Sequence, residues 1–152
     1  MIAAKRDVAI SCNRLADLEQ AVGNFGAALN YGRRNIQACE DILQMEETVQ
    51  GRQDLYVSYQ RYGDILRDAG RWAEAKAYFE KGHAICEALY RQTNSIYTYA
   101  DLSASYFRLS LVAPILQRIT YYGQAMYIIN KLCRDYPNVQ IFRDYRQRFR
   151  IR

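Results

Sequence analysis

Proline is almost missing from this chain, at 2 of 152 residues, and glycine stands at only 8. Collagen, low-complexity linkers and turn-rich β-sandwiches all need more of both, so those classes are excluded. Histidine is limited to His83, and Cys12, Cys39, Cys86 and Cys133 are scattered with no CxxC pair. Close ligand pairs for a structural zinc are therefore absent, and neither a metal nor another cofactor is expected. No run approaches the ~20 consecutive apolar residues of a membrane-spanning helix. Residues 1–7 are charged and lack the apolar core of a signal peptide. The expected setting is cytoplasmic, with reduced thiols and no membrane partner. GxSxG, P-loop, HExxH and GxGxxG patterns are also lacking. The acidic pairs Glu40-Asp41 and Glu46-Glu47 are consecutive, so on a helix they point different ways and read as solvated faces. No enzymatic activity is expected.

What is present is an ordinary globular composition, half hydrophobic and 24% charged, with 14 tyrosines, five phenylalanines and Trp72. The length fits one domain over residues 1–152. Its organisation is a repeat. A shift of 47 residues brings Arg6-Asp7-Val8-Ala9-Ile10-Ser11 onto Gln53-Asp54-Leu55-Tyr56-Val57-Ser58. The same shift carries Gly23-Asn24-Phe25-Gly26-Ala27-Ala28 onto Gly70-Arg71-Trp72-Ala73-Glu74-Ala75, and Cys39-Glu40 onto Cys86-Glu87. A second step puts Asp54-Leu55 on Asp101-Leu102, Ser58-Tyr59 on Ser105-Tyr106, and Arg61 on Arg108. Three units follow, at about 6–50, 53–96 and 98–138. The third realigns only after three extra residues beside Pro114, where a kink or longer loop is expected over 113–120. A fourth unit opens at Arg143-Asp144-Tyr145 and stops. That abrupt stop, with no evident N-terminal cap, points to a piece of a longer array.

Each unit has helical periodicity. Leu55, Tyr59, Tyr62, Gly63 and Leu66 share one face. Ala16, Gly63 and Ser110 share one register position and Ala28, Ala75 and Ala125 another, so small side chains let a second helix approach. Gly23 and Gly70 fit the left-handed position after a helix C-terminus. The spacing predicts helices over 7–21, 26–47, 53–69, 72–92, 97–113 and 121–134, with a basic terminal helix over 139–151. The aromatic side chains belong mainly to the stacking faces between helices.

Tyr59, Tyr62, Gly63, Leu66, Ala75, Phe79 and Gly82 resemble the tetratricopeptide repeat consensus, which has W, L, G, Y, A, F and A at those spacings. Pro137 stands where that consensus places its closing proline. The resemblance spans essentially the whole chain and is strongest in the second unit. Gly32, Asn35 and Leu132 depart from the consensus, and two units exceed the usual ~34 residues. The fold it implies is an all-α, right-handed α-solenoid of three helix–turn–helix repeats with a C-terminal capping helix.

In the family resembled, the first helices of the repeats line a concave groove that holds a peptide. The matching positions here are Ile10, Asn13, Arg14 and Asp17 from the first unit. Val57, Gln60, Arg61, Asp64 and Arg67 come from the second, and Ala104, Phe107, Arg108 and Leu111 from the third. Positions 57, 60, 64 and 67 also lie three or four apart, away from the apolar face. Arg14 and Arg61 each precede an aspartate by three residues, Asp17 and Asp64, so local i,i+3 ion pairs are the simplest expectation. Leu111 stands where Arg108 would have its aspartate, which makes a partner's carboxylate its expected ligand. The lysines that grip a peptide's terminal carboxylate elsewhere in the family are absent, although Asn13 is kept.

The formal net charge of +5 hints at an acidic partner. It is not spread along the chain, however. Arg143, Arg146, Arg148, Arg150 and Arg152 against Asp144 put +4 in the last ten residues and leave +1 for the rest. The leading expectation is a scaffold binding a protein or peptide in its groove. Alternatives are nucleic-acid or acidic-partner binding through the basic C-terminal helix, disfavoured by the near-neutral body, and a homo-oligomer built by end-to-end stacking of repeats.

Overall fold

A computed structural model describes residues 1–150. Ile151 and Arg152, which the expected terminal helix and basic cluster include, lie outside the described residues. Among the described residues there are seven α-helices and no strand: α1 (Ile2–Ala21), α2 (Phe25–Met45), α3 (Val49–Asp68), α4 (Trp72–Thr93), α5 (Ile96–Val112), α6 (Ile115–Asp135) and α7 (Gln140–Arg150). Consecutive helices pack on one another, α1 on α2, α2 on α3, α5 on α6 and α6 on α7. The chain divides into two compact units, Met1–Ile85 and Cys86 onward, with the division inside α4.

Local chemistry sets the helix ends. Asn24 accepts from the Ala27 amide at 3.5 Å, Thr48 from Gly51 at 2.9 Å, and Ser95 from Tyr97 at 3.2 Å. Each satisfies an amide that has no partner within its helix. Gly23 and Gly70 take φ of 79° and 80°, as the C-terminal reading requires. The amide after each glycine bonds back to the preceding helix, Asn24 to the Glu19 carbonyl and Arg71 to that of Leu66. Three helix starts differ from expectation, that of α3 among them, at Val49 rather than 53. α1 begins five residues earlier than position 7. The expected break beside Pro114 is a tight bend confined to Ala113 and Pro114 rather than a loop over 113–120, because Pro114 is the N-cap of α6. A missing amide does no harm at a helix start, so the extra residues lengthen α6 at its N-terminus instead.

In the first unit the predicted small positions do make close approaches. Ala16, Gly63, Ala28 and Ala75 are all buried. A Cβ placed on Gly63 would stand 2.4 Å from Cε1 of Phe79, whose ring is itself fully buried. Tyr78 lies between Tyr59 and Tyr62, with ring centroids 5.9 and 4.7 Å away, and Lys81 sits over the Tyr59 and Tyr78 rings. Tyr59 donates to Glu40 at 2.9 Å, and burial together with that carboxylate pushes its phenol up to about 12.

In the second unit Ser110 and Ala125 are fully buried, again as their register demands. Tyr90 stacks on Tyr99 at 4.6 Å. Phe142 and Phe149 carry α7 onto its neighbours; Phe149 stacks on Phe107 at 4.6 Å, and Tyr122 donates to the Phe149 carbonyl at 3.2 Å. All four cysteines are buried free thiols, two in each unit. No described helix is long and apolar enough to cross a membrane.

Candidate binding groove

The first unit holds a pocket of about 280 Å³ walled by α1, α2 and α3. Its apolar lining includes Ile10, Ile42 and Val57, and its polar lining includes Arg6, Asn13 and Asp54. Ile10 and Val57 are exposed where they stand, so their packing leaves surface available to another molecule. Asn35 also lines the pocket and donates from Nδ2 to the Ala9 carbonyl at 2.7 Å, tying α2 to α1.

Cys39 and Ser58 are the thiol and hydroxyl groups at the pocket lining. The Ser58 hydroxyl donates to the Asp54 carbonyl at 3.0 Å, which leaves Cys39 as the donor in its 3.3 Å contact with Ser58 Oγ. Burial pushes the Cys39 thiol up, and the Asp54 and Glu40 carboxylates add to that. A thiol held protonated is a poor nucleophile. The pocket therefore offers shape, hydrogen bonds and one charge of each sign at its lining.

Of the residues expected to line a groove, Ile10, Asn13 and Val57 meet in this pocket. The arginine–aspartate pairing differs from the local i,i+3 pattern. Arg61 reaches across to Asp17 on α1, with its Nη1 2.8 and 2.6 Å from the two carboxylate oxygens. Asp64 pairs with Arg67 at 3.6 Å, and Gln20 donates to Asp68 at 2.8 Å. Two polar bridges thus join α1 to α3. Arg61 thus finds its aspartate on the facing helix, and the i,i+3 ion pair on α3 is the one between Asp64 and Arg67. Arg14 is exposed on α1. Gln60 is not on an open surface. It is 2% exposed, lies over Gly82, and neither of its amide atoms finds a hydrogen-bond partner.

The third-unit positions belong to the second compact unit, where α7 packs on α5. Ala104 is buried, Leu111 is half-buried, and the face of Phe107 is taken by Phe149. Arg108 acts electrostatically on Tyr145, whose phenol is pushed up by burial first and by Asp101 next, with Arg108 opposing. The chain's own terminal helix therefore occupies a surface that was expected to receive a partner.

Arg6, Asn35, Cys39, Ile42, Asp54 and Ser58 were not singled out from the sequence as site residues. A signal existed for Asn35: an amide where the tetratricopeptide consensus has a small side chain. The chain matches no known family model, and no curated protein matches it.

Proposed function

We propose that this chain is a right-handed solenoid of three tetratricopeptide-like helix pairs and a terminal helix, working as a binding scaffold without catalysis. Its ligand is a peptide segment of a partner protein, taken at the α1–α3 face of the first unit. The observation that carries this reading is the pocket, which gathers Ile10, Asn13 and Val57 from two first helices. Apolar walls give a peptide side chain a place to bury, at roughly 25 cal/mol per Å². Asn13 offers the donor and acceptor that an extended peptide backbone needs. Arg6 and Asp54 supply opposite charges at the lining and so set the orientation of the bound segment.

The test is selection from a displayed peptide library, followed by titration of the recovered peptides. Ile10→Asp and Val57→Asp alter exposed side chains, so helicity and melting should hold while affinity for those peptides falls at least tenfold. Retained affinity in both variants would show that the pocket is not the site.

A second reading has its own support in the basic residues of α7, where Arg143, Arg146, Arg148 and Arg150 are exposed or half-buried. Binding of an oligonucleotide there would weaken steeply with salt and vanish on reversing Arg146 and Arg150 to glutamate. A shallow salt slope, unchanged by the reversal, excludes it.

A further inference from the structure

The flank of α1 turned away from α3 carries an apolar seam that the first unit leaves substantially exposed. Positions 1, 4, 8, 11, 15, 18 and 22 repeat at alternating steps of three and four, the spacing of a coiled-coil seam. Val8, Leu15, Leu18 and Val22 on it are 46, 40, 64 and 78% exposed. Ala9, Cys12 and Ala16 are the buried residues of α1, and Asp17 and Gln20 hold α3, so the seam is a third and separate face. Large and small residues alternate along its first part, Met1, Ala4, Val8, Ser11 and Leu15, and Leu18 then adds a second large side chain.

Charges at the margin of this seam choose its occupant. Asp7 and Arg14 are two helical turns apart on one edge, both exposed, and neither pairs with a charge among the described residues. We propose that α1 pairs antiparallel with α1 of a second copy of this chain, about a two-fold axis between Ala9 and Ile10. In that register Leu15 meets Ala4 of the second copy and Val8 meets Ser11, so bulk sits against space at the inner levels, while at the outer level the long side chains of Leu18 and Met1 meet each other. Asp7 then faces Arg14 of the second copy, and the symmetry repeats the pair. A parallel arrangement offers Asp7 only the buried Cys12 position across the seam. The surface is thus self-complementary in shape and in sign. This inference stands apart from the pocket, and its readout needs no ligand.

The experiment is sedimentation equilibrium on the whole chain over a range of concentrations, at low and high salt. A monomer–dimer equilibrium that weakens with salt is expected. Leu18→Glu, which changes a side chain already mostly exposed, should abolish the dimer while helicity and melting of the monomer stay unchanged. Asp7→Arg and Arg14→Asp should each weaken dimerisation by about tenfold, from two lost pairs and new repulsion. Combining the two should restore it, which only an antiparallel contact between these residues would do. A concentration-independent monomer overturns the proposal. So does a dimer that survives Leu18→Glu, or a double variant no better than its parents.

Discussion

Replacing Gly63 by alanine sets two opposing effects against each other at one atom. In a helix interior, alanine is favoured over glycine by roughly 0.5–1 kcal/mol, because glycine loses more backbone freedom on folding. Against this, the new Cβ would lie 2.4, 2.6 and 3.1 Å from three carbons of the Phe79 ring. Carbon atoms rest about 3.5–4.0 Å apart, so the ring has to retreat by about 1 Å. Phe79 is wholly buried and cannot swing into solvent. Forcing bulk into such a site costs about 1–3 kcal/mol. The net effect is a loss of about 1–2 kcal/mol, or a drop in Tm of about 2–8 °C for a chain of this size. Gly123 is the matched control, since it is inside α6 with nothing within 4 Å of its added Cβ. There, alanine should raise Tm by about 1–4 °C. Thermal melts followed by circular dichroism read both variants. In a Phe79→Leu background the cost of Gly63→Ala should shrink or change sign, which is a coupling between contacting residues. If Gly63→Ala stabilises as Gly123→Ala does, or costs the same with Phe79 gone, the close approach is not why this position is small.

Alkali should unfold the protein in a defined window. Tyr59 has its phenol raised to about 12, and burial also raises Tyr78, Tyr99, Tyr106 and Tyr145. A raised folded pKa means that this contribution to stability is complete below the ordinary tyrosine value of about 10 and is lost as pH climbs to about 12. Tyrosinate absorbance and helicity recorded together should change over that window; full ionisation near pH 10 in a still-folded chain would refute it. Gln60→Met keeps the shape and removes a buried amide with no partner, so stability to urea should rise by about 1 kcal/mol. Phe149→Ala removes the ring stacked on Phe107 and should cost about 3–5 kcal/mol in the second unit, seen as faster amide exchange along α7.

Much of the helical layout could be read from the chain because each unit repeats the same apolar register. Ala16, Gly63 and Ser110 were placed at the close approaches by spacing alone, and all three are buried. Gly23 and Gly70 announced their turns through the one conformation that other residues resist. What escaped depended on partners distant in sequence. Pro114 looks disruptive in a one-dimensional pattern, yet it is harmless at a helix start. Arg61 had a nearby aspartate in sequence and a better-placed one, 44 residues earlier, in space. Gln60 has the polarity of a surface residue, and only the neighbouring Gly82 makes room to bury it. Phe107 and Arg108 sat at groove positions by register, but α7 folds back onto their helix. Periodicity tells which face is apolar and is silent about what comes to cover it.

The four buried cysteines have a use as reporters of motion. Cys12 and Cys39 lie in the first unit, Cys86 and Cys133 in the second. Cys86 is fully buried with its thiol well above the ordinary value, so it cannot react until its surroundings part. The rate at which a thiol reagent consumes each one therefore measures how often that part of the chain opens. Two clocks per unit, already in the natural sequence, can show whether the halves breathe together or separately.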